Sequence, residues 1–346
     1  MTARRVMLLA ALGIAVIALS LWVSSRGGTG EDSVAGTRVL PGLERSLNDV
    51  TEVRITKAGG MQTTLDRKAT DWIVGERGYP ADSGKLRKLL LDLGSLRAVE
   101  RKTRLARNYP VLGVESVTQP KATGARIDIV SSGKTWSLIV GNSMDADDCY
   151  VRVADSAQSL LASPLVMADA DPKLWLDPTL LDIAQSRVSE IDERPAKGPA
   201  FSVARAKQSQ ADFTVHGIPR GRELSSADAA DSMGSALSAL TLTDVRKAAA
   251  PPAGADLAHA AFKTFDGLEI DVSGYKQGDN GYIEVSAQAA GQSADKPAGA
   301  DAQRINSRVQ GWDYQIPGYR YEEIFPTLDS LLKPLPAKKA PVKKGR

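Results

Sequence analysis

The chain has 346 residues, a formal net charge of +3, 42% hydrophobic residues and 25% charged residues, a composition typical of globular proteins. Five basic residues and no acid lie in the last twelve positions, and removing these five charges from +3 leaves −2, so the charge balance does not indicate nucleic-acid binding. The single cysteine, Cys149, excludes an intramolecular disulfide and a multi-cysteine metal site, and we expect it to be a packing residue.

The first predicted element is a membrane anchor. Residues 6–23 carry no charge and would form a helix about 27 Å long, close to the hydrocarbon thickness of a bilayer. The preceding Arg4 and Arg5 predict a single-pass inner-membrane protein with a cytoplasmic N-terminus and a periplasmic or extracytoplasmic body. A cleaved signal peptide is the main alternative, although the apolar run is long for one and lacks a small-x-small site. The predicted anchor residues are Val6, Leu8, Leu9, Ile14, Val16, Ile17, Leu19, Leu21, Trp22 and Val23.

A polar, Gly-rich segment, residues 24–44, predicts a flexible tether. The first predicted folded unit, residues 45–170, follows it. Leucines at helical spacing predict a helix within residues 85–99. Alternating or apolar runs predict strands at residues 50–56, 71–74, 125–130, 135–141 and 149–153.

A second predicted unit, residues 188–333, repeats this order. Strands are predicted at its start, at residues 212–215, in a hairpin over 260–275 and at 282–288, with a helix within 225–245. Val50 and Val188 lie 138 residues apart, Trp72 and Phe213 lie 141 apart, and Gly133 and Gly267 lie 134 apart. These offsets indicate an internal duplication. The predicted fold class is α+β: an N-terminal transmembrane helix and two tandem similar units, each an antiparallel sheet with a packed helix.

The segments between and after the two units are less regular. Residues 171–187 predict an inter-repeat bridge, with a turn carrying Trp175 and a helical run through residues 180–183. Residues 289–302 are of low complexity and predict a loop, and residues 334–346 predict a basic disordered tail.

The sequence contains no recognisable catalytic motif, and we assign no catalytic residue, metal or cofactor. His216 and His259 each lack a neighbouring histidine or cysteine, so a zinc site has little support, and both are expected at the surface. Asp145, Asp147 and Asp148 resemble part of a calcium loop, but the glycine and the distal glutamate that such a loop requires are missing. A solvated hairpin loop is therefore predicted there.

One aromatic group, in the last predicted strand and the helix after it, is denser than the rest. It consists of Trp312, Tyr314, Tyr319 and Tyr321. Aromatic residues are enriched in protein–protein interfaces, so these four are candidate partner-contact residues.

Several motifs together resemble the bacterial proteins that carry the uncharacterised domain DUF4340, over roughly residues 45–333. They are WIV at 72–74, YPAD at 79–82, LG at 112–113, IVG at 139–141, YVRV at 150–153, LWLDPTLLDI at 174–183 and GWDYQIPGYRYEEI at 311–324. The resemblance implies an envelope accessory protein of gliding-motility-type ABC transport systems. The partners it implies are an ABC-type permease and a large extracytoplasmic auxiliary subunit, and it transfers no catalytic residues.

Three hypotheses follow. The leading one is a non-enzymatic, membrane-anchored accessory subunit of an ABC-type complex that acts through protein–protein contacts. The second is an extracytoplasmic module that binds an envelope glycan, lipid or peptide in a groove between the repeats. The third is a hydrolase, which would require a convergent Ser/His or carboxylate pair around His216 or His259.

Overall fold

We analysed a computed structural model of the chain, which describes residues 34–290 and 297–334. The predicted anchor, residues 6–23, and all but the first residue of the predicted basic tail lie outside these ranges. Within the two described ranges, no helix combines the length and the apolar character needed to cross a membrane.

Strands dominate the described residues, and the helices are few and mostly short. In chain order the strands are β1 (Val50–Lys57), β2 (Gln62–Lys68), β3 (Asp71–Val74), β4 (Tyr79–Pro80), β5 (Arg97–Arg101), β6 (Ala125–Ser131), β7 (Lys134–Ser143), β8 (Cys149–Val153), β9 (Ser159–Ser163), β10 (Thr179–Leu181), β11 (Val188–Arg194), β12 (Phe201–Ala204), β13 (Thr214–His216), β14 (Leu240–Thr241), β15 (Asp244–Lys247), β16 (Ala258–Thr264), β17 (Leu268–Gln277), β18 (Asn280–Ala289) and β19 (Trp312–Pro317). The α-helices are α1 (Leu43–Ser46), α2 (Ser83–Ser95), α3 (Tyr109–Leu112), α4 (Asp231–Gly234), α5 (Pro297–Val309), α6 (Gly318–Ile324) and α7 (Leu328–Leu331).

The chain divides into two compact units. The first comprises the residues through Thr70 and Gly84–Asp171, and the second comprises Asp71–Ser83 and the residues from Pro172 onward. The sequence predicted that residues 71–83 belong to the first unit and that residues 171–187 form a separate bridge. The structure groups residues 71–83 and 172–187 with the second unit, and Asp171 with the first.

The first unit is built on an antiparallel sheet in the order β2-β1-β6-β7-β8-β9-β5. Its central strand β6 alternates strictly, with Ile127 and Ile129 fully buried, because successive side chains of a strand point to opposite faces. Helix α2 buries Leu86, Leu89 and Leu93, which lie on one helical face as their spacing predicts.

Three glycines of the first unit explain two of the sequence motifs. A Cβ on Gly124 would lie 2.0 Å from the Gly113 carbonyl oxygen, and a Cβ on Gly141 would lie 2.1 Å from that of Leu112. Gly113 itself has a φ of 70°. The LG and IVG motifs therefore place backbone against backbone, where only glycine fits.

Part of the predicted tether belongs to the first unit. The Gly36 amide donates to the Ala98 carbonyl at 2.8 Å, and the Ala98 amide donates to the Thr37 carbonyl at 2.8 Å. Leu43 is fully buried in α1. The tether prediction for residues 24–44 is thus wrong for its last residues, because backbone pairing with β5 and burial of apolar side chains order them.

The second unit is built on an antiparallel sheet in the order β13-β12-β11-β16-β17-β18-β19-β15. Helices α5 and α6 pack on β17, β18 and β19, and we call this side the covered face. Ala302 and Ile305 of α5 are buried there. The opposite side, the open face, carries polar side chains such as Asp192 and Glu284. One buried and one solvated face is the usual pattern of antiparallel sheets.

Three sequence predictions in the second unit are wrong. Only α4 is α-helical within residues 225–245, and the residues around it form turns and short strands. The predicted helical run at 180–183 overlaps strand β10, in which Thr179 pairs with Thr241 of β14. The predicted loop at 289–302 contains the start of helix α5, with Pro297 as its first residue, a position that suits proline. In each case tertiary packing overrides a weak local preference. The described protein is thus a mixed α/β protein with antiparallel sheets and few helices.

Candidate functional site

The four aromatic residues singled out from the sequence do not form one surface. Tyr314 is fully buried, Tyr321 is 4% exposed, and Tyr319 is 64% exposed. Trp312 is half-buried and lies under the Lys247 ammonium, which is 3.5 Å from its ring centre. Alternation along β19 and the turn of α6 send neighbouring side chains in different directions. Burial raises the pKa of both Tyr314 and Tyr321, the latter to about 12.

Three of the sequence motifs meet in the second unit. Tyr79, from YPAD, packs edge-on against Trp312 at a centroid distance of 5.2 Å and against Tyr314 at 6.0 Å. The Asp82 amide donates to the Trp175 carbonyl at 2.8 Å. These motifs therefore maintain packing within the second unit.

A cluster on the open face consists of side chains that were not predicted from the sequence. Its centre is Arg246 of β15, whose Nε donates to Asp313 Oδ2 at 3.2 Å and whose Nη2 donates to the Tyr275 hydroxyl. The guanidinium also lies 4.6 Å from the Tyr282 ring centre. Tyr275 and Tyr282 are stacked, with ring centres 5.5 Å apart and planes at 14°. We call these four residues the Arg246 cluster.

A small cleft adjoins the Arg246 cluster. Its volume is about 300 Å³, and it is lined by Lys173, Asp244, Val245, Arg246, Tyr282, Asp313 and Gln315. Asp244 accepts from Arg77 Nε at 2.8 Å and pairs with Lys173 Nζ at 3.3 Å. The cleft thus presents charged groups, an amide and an aromatic ring together, and we call it the Arg246 cleft.

The charges of the cleft are held by their surroundings. Burial works against ionisation of Asp244, but hydrogen bonds from Arg77, Val245 and Lys173 outweigh it, so its pKa is lowered. Burial likewise opposes the charge of Arg246, but its hydrogen bonds with Tyr275 and Asp313 leave its pKa raised. Both groups therefore keep their charge across the physiological pH range, which suits recognition of a polar or charged partner.

Both histidines border a second, shallower basin on the open face, with a volume of about 640 Å³. His259 Nε2 lies 3.3 Å from Asp271 Oδ1. Ser202 is the cross-strand neighbour of His216, but among the described residues no serine hydroxyl is hydrogen-bonded to either histidine. Activation of a serine by a histidine uses such a bond, but the carboxylates of Asp192, Glu269 and Asp271 also line the basin, so the hydrolase hypothesis stays a prediction.

Two smaller predictions concern the first unit. The Cys149 side chain is fully buried, and burial raises the pKa of its thiol. Asp145 Oδ1 accepts the backbone amides of Asp147 and Asp148, both at 2.9 Å. That carboxylate therefore closes the hairpin loop, as short acidic side chains often do.

Comparisons with known proteins identify one match. A family model described as "Domain of unknown function (DUF4340)" matches residues 72–259. No curated protein sequence and no solved structure matches the chain. The matched range includes Tyr79, Arg77, Asp244 and Arg246, so it covers much of the cleft described above.

Proposed function

This chain belongs to the DUF4340 family, and from that premise we propose that it is a non-enzymatic, membrane-anchored, extracytoplasmic accessory subunit of an ABC-type transport complex. In this proposal residues 6–23 form a single inner-membrane helix, and the body lies in the periplasm. The body binds an ABC-type permease or its large extracytoplasmic auxiliary subunit. The apolar N-terminal run and the two arginines before it support the placement.

The Arg246 cluster is the observation that carries the proposed mode of action. Arginine and tyrosine are among the residue types that contribute most binding energy in protein interfaces. Here the Arg246 side chain is 44% exposed, yet it is held in one orientation by Asp313 and Tyr275. Such a fixed cation loses little side-chain entropy when a partner binds. The proposed contact surface is therefore the Arg246 cleft, where a partner carboxylate or carbonyl would accept from the guanidinium.

The proposal includes a body made of two tandem similar units. The strand orders support it: β2-β1-β6-β7-β8-β9-β5 in the first unit corresponds position by position to β12-β11-β16-β17-β18-β19-β15 in the second. A β-bulge also falls at Val50/Glu52 in the pairing of β1 with β6, and at Val188/Glu190 in the pairing of β11 with β16. Bulges are structural features that related sheets retain, and these two lie 138 residues apart.

Co-purification from membranes tests the proposed function. The full chain, tagged and extracted in mild detergent, is expected to recover an ABC-type permease that mass spectrometry identifies. Recovery of the tagged protein alone, with intact permease in the unbound fraction, would contradict the accessory role.

A matched pair of variants tests the contact surface separately. Arg246→Ala should reduce recovery of the permease at least about tenfold, because a central arginine of an interface contributes about 2 kcal/mol or more. Arg194→Ala removes an exposed arginine from the same open face, at β11, and should leave recovery unchanged. Equal recovery with both variants would place the contact elsewhere without affecting the accessory role.

A further inference from the structure

An exposed turn follows strand β5 of the first unit. The Asn108 amide donates to the Leu105 carbonyl at 2.9 Å and closes the turn, and we call residues 104–108 the Leu105 turn. Leu105 is 52% exposed, and Val111, three residues beyond the turn, is 77% exposed. Isolated exposed apolar residues are common in proteins, so a role for these two depends on what surrounds them.

The turn is held in place although it is exposed. Before it, the Thr103 amide donates to the Ser159 hydroxyl at 3.0 Å. After it, the Tyr109 hydroxyl donates to the Ala157 carbonyl at 2.6 Å, and the centre of the Tyr109 ring lies 4.7 Å from the Arg152 guanidinium. The exposed side chains thus project from a fixed backbone, which limits the entropy lost when they make a contact.

The same stretch of chain is strongly basic. Residues 97–111 contain five basic residues and one acid, which leaves a net charge of +4. The acid, Glu100, is paired with Lys102 at 2.6 Å. Arg104 donates to a neutral group, Gln158 Oε1, at 2.8 Å. Within the described ranges the four arginines of this stretch form no ion pair, so their charges are available to anions from outside the chain.

The chain enters the first unit beside this turn. The described residues begin at Val34 and run antiparallel to β5. The Val39 amide donates to the Leu96 carbonyl at 3.0 Å, and the Gly36 amide donates to the Ala98 carbonyl at 2.8 Å. Following the chain back from residue 39 to residue 34 therefore leads toward the end of β5 from which the Leu105 turn continues.

A short connection joins this entry point to the proposed anchor. Ten residues, 24–33, separate the described chain from the apolar run at residues 6–23. Ten fully extended residues span at most about 36 Å. If the apolar run lies in the membrane, as in the proposed function, the edge of the first unit that carries the Leu105 turn stays close to the bilayer surface.

We propose that the Leu105 turn is a contact with the surface of an anionic bilayer. Arg104 and Arg107 pair with phosphate groups of anionic phospholipids, and Leu105 and Val111 enter the headgroup region. Basic and apolar side chains together are the combination that binds such surfaces. The inference rests on the anchor of the proposed function and is independent of the ABC-type partner. The short connection favours a bilayer over a soluble polyanion, because it holds the turn beside the bilayer whatever other molecules are present.

Fluorescence of the full chain reconstituted into vesicles tests the proposal. A nitrobenzoxadiazole probe is attached to Leu105→Cys, and labelling is selective because the native Cys149 is fully buried. Probe emission should be at least about threefold stronger in phosphatidylcholine vesicles with about 30% phosphatidylglycerol than in pure phosphatidylcholine vesicles. Salt at about 0.5 M should remove most of the difference. A probe at Met61→Cys, which is also 52% exposed but precedes β2 at the opposite edge of the sheet, should show no difference.

Two double variants of equal charge change locate the contact. Arg104→Glu with Arg107→Glu should abolish the stronger emission of the probe at position 105, because the acidic lipids then repel the turn. Arg67→Glu with Lys68→Glu makes the same change in net charge at exposed positions of β2 and should retain the stronger emission. An equal loss of emission in the two double variants would overturn the proposal.

Flotation distinguishes failure of the contact from failure of the anchor. Flotation with pure phosphatidylcholine vesicles reports the anchor, whereas probe emission reports the turn, and neither measurement requires a permease. Equal emission in the two kinds of vesicle, from protein that floats with both, would overturn the proposal. Shielding of the probe only after addition of a co-purified permease would also overturn it, because the turn would then be a protein contact.

Discussion

Arg205 and Glu193 are two buried ionisable residues of the second unit, and their surroundings are opposite. Arg205 is 7% exposed, and its guanidinium donates to the carbonyl oxygens of Val188, Gln210 and Gln185, the first two at 2.8 and 3.0 Å. Glu193 is 1% exposed, and among the described residues its oxygens accept no hydrogen bond. Backbone carbonyls thus take the place of water around the Arg205 guanidinium, whereas no described group takes the place of water around the Glu193 carboxyl.

The chemistry of the two side chains decides how each one tolerates burial. A guanidinium cannot lose its proton in a protein, so a buried arginine must be solvated by acceptors, and the Phe213 ring 4.8 Å from Arg205 adds to them. A carboxyl can instead become neutral, which is what the raised pKa of Glu193 means. A buried group with its partners in place is structural, and one without them marks a place where the environment can change.

Arg205→Ala should have the largest effect on stability. It leaves three carbonyl oxygens without a charged donor and removes contact with Phe213, so we expect a loss of about 3–5 kcal/mol in the free energy of unfolding. Urea denaturation measures it. Arg194→Ala, at an exposed position, is the control and should cost no more than about 0.5 kcal/mol. A cost below about 1 kcal/mol for Arg205→Ala would mean that the carbonyls find other donors.

The next effect is a pH dependence. The pKa of Glu193 is about 9 in the folded chain and about 4.3 when unfolded, so the folded state holds the extra proton between these values. Its contribution to stability is complete below the unfolded pKa and is lost as pH rises toward 9, by up to about 1.4 kcal/mol per pH unit. The amide of Glu193→Gln does not ionise, so the variant should not lose this stability. Urea denaturation at pH 6, 7 and 8 should therefore show the free energy of unfolding of the variant rising relative to that of the wild type. If the two free energies change with pH in parallel, Glu193 is already ionised in the folded protein.

Two tyrosines give the same comparison at a smaller scale. The Tyr109 hydroxyl donates to the Ala157 carbonyl at 2.6 Å, so Tyr109→Phe should cost about 1 kcal/mol. Tyr321→Phe removes a hydroxyl that has no partner in the described chain, and should change stability by no more than about 0.5 kcal/mol. Thermal unfolding measures both. Equal costs would mean that the Tyr321 hydroxyl has a hydrogen-bond partner in solution.

The sequence predicted most strands because their signal is local. Alternation in β1, β6, β7 and β17 follows from a side-chain period of two, which any sheet with one buried face imposes. The helix expected at 225–245 was wrong because Ala- and Ser-rich segments are nearly neutral in propensity, and packing decides their conformation.

The candidate site was less accessible from the sequence than the strands. Arg246, Tyr275 and Asp313 are far apart in the chain, and only the order β17-β18-β19-β15 brings them together. The sequence did contain one signal for Glu193. It lies two residues after Ile191 in β11, so the two side chains point to the same, buried face of the strand. An acid at a core position of a strand indicates either a paired charge or a site.

By itself, the sequence determined the family, the apolar N-terminal run, most strands and the recurring offset between the two halves of the chain. The family follows from the identity of its motifs, and the apolar run follows from composition. The strands follow from a side-chain period of two residues, and the offset follows from landmarks that recur along the chain. Only the tertiary structure decided that the aromatic residues of β19 and α6 separate, that Arg246 meets two tyrosines, and that Glu193 finds no donor among the described residues. Such facts depend on which strands are neighbours and on what packs above them, because hydrogen bonding and desolvation act between atoms close in space rather than in sequence.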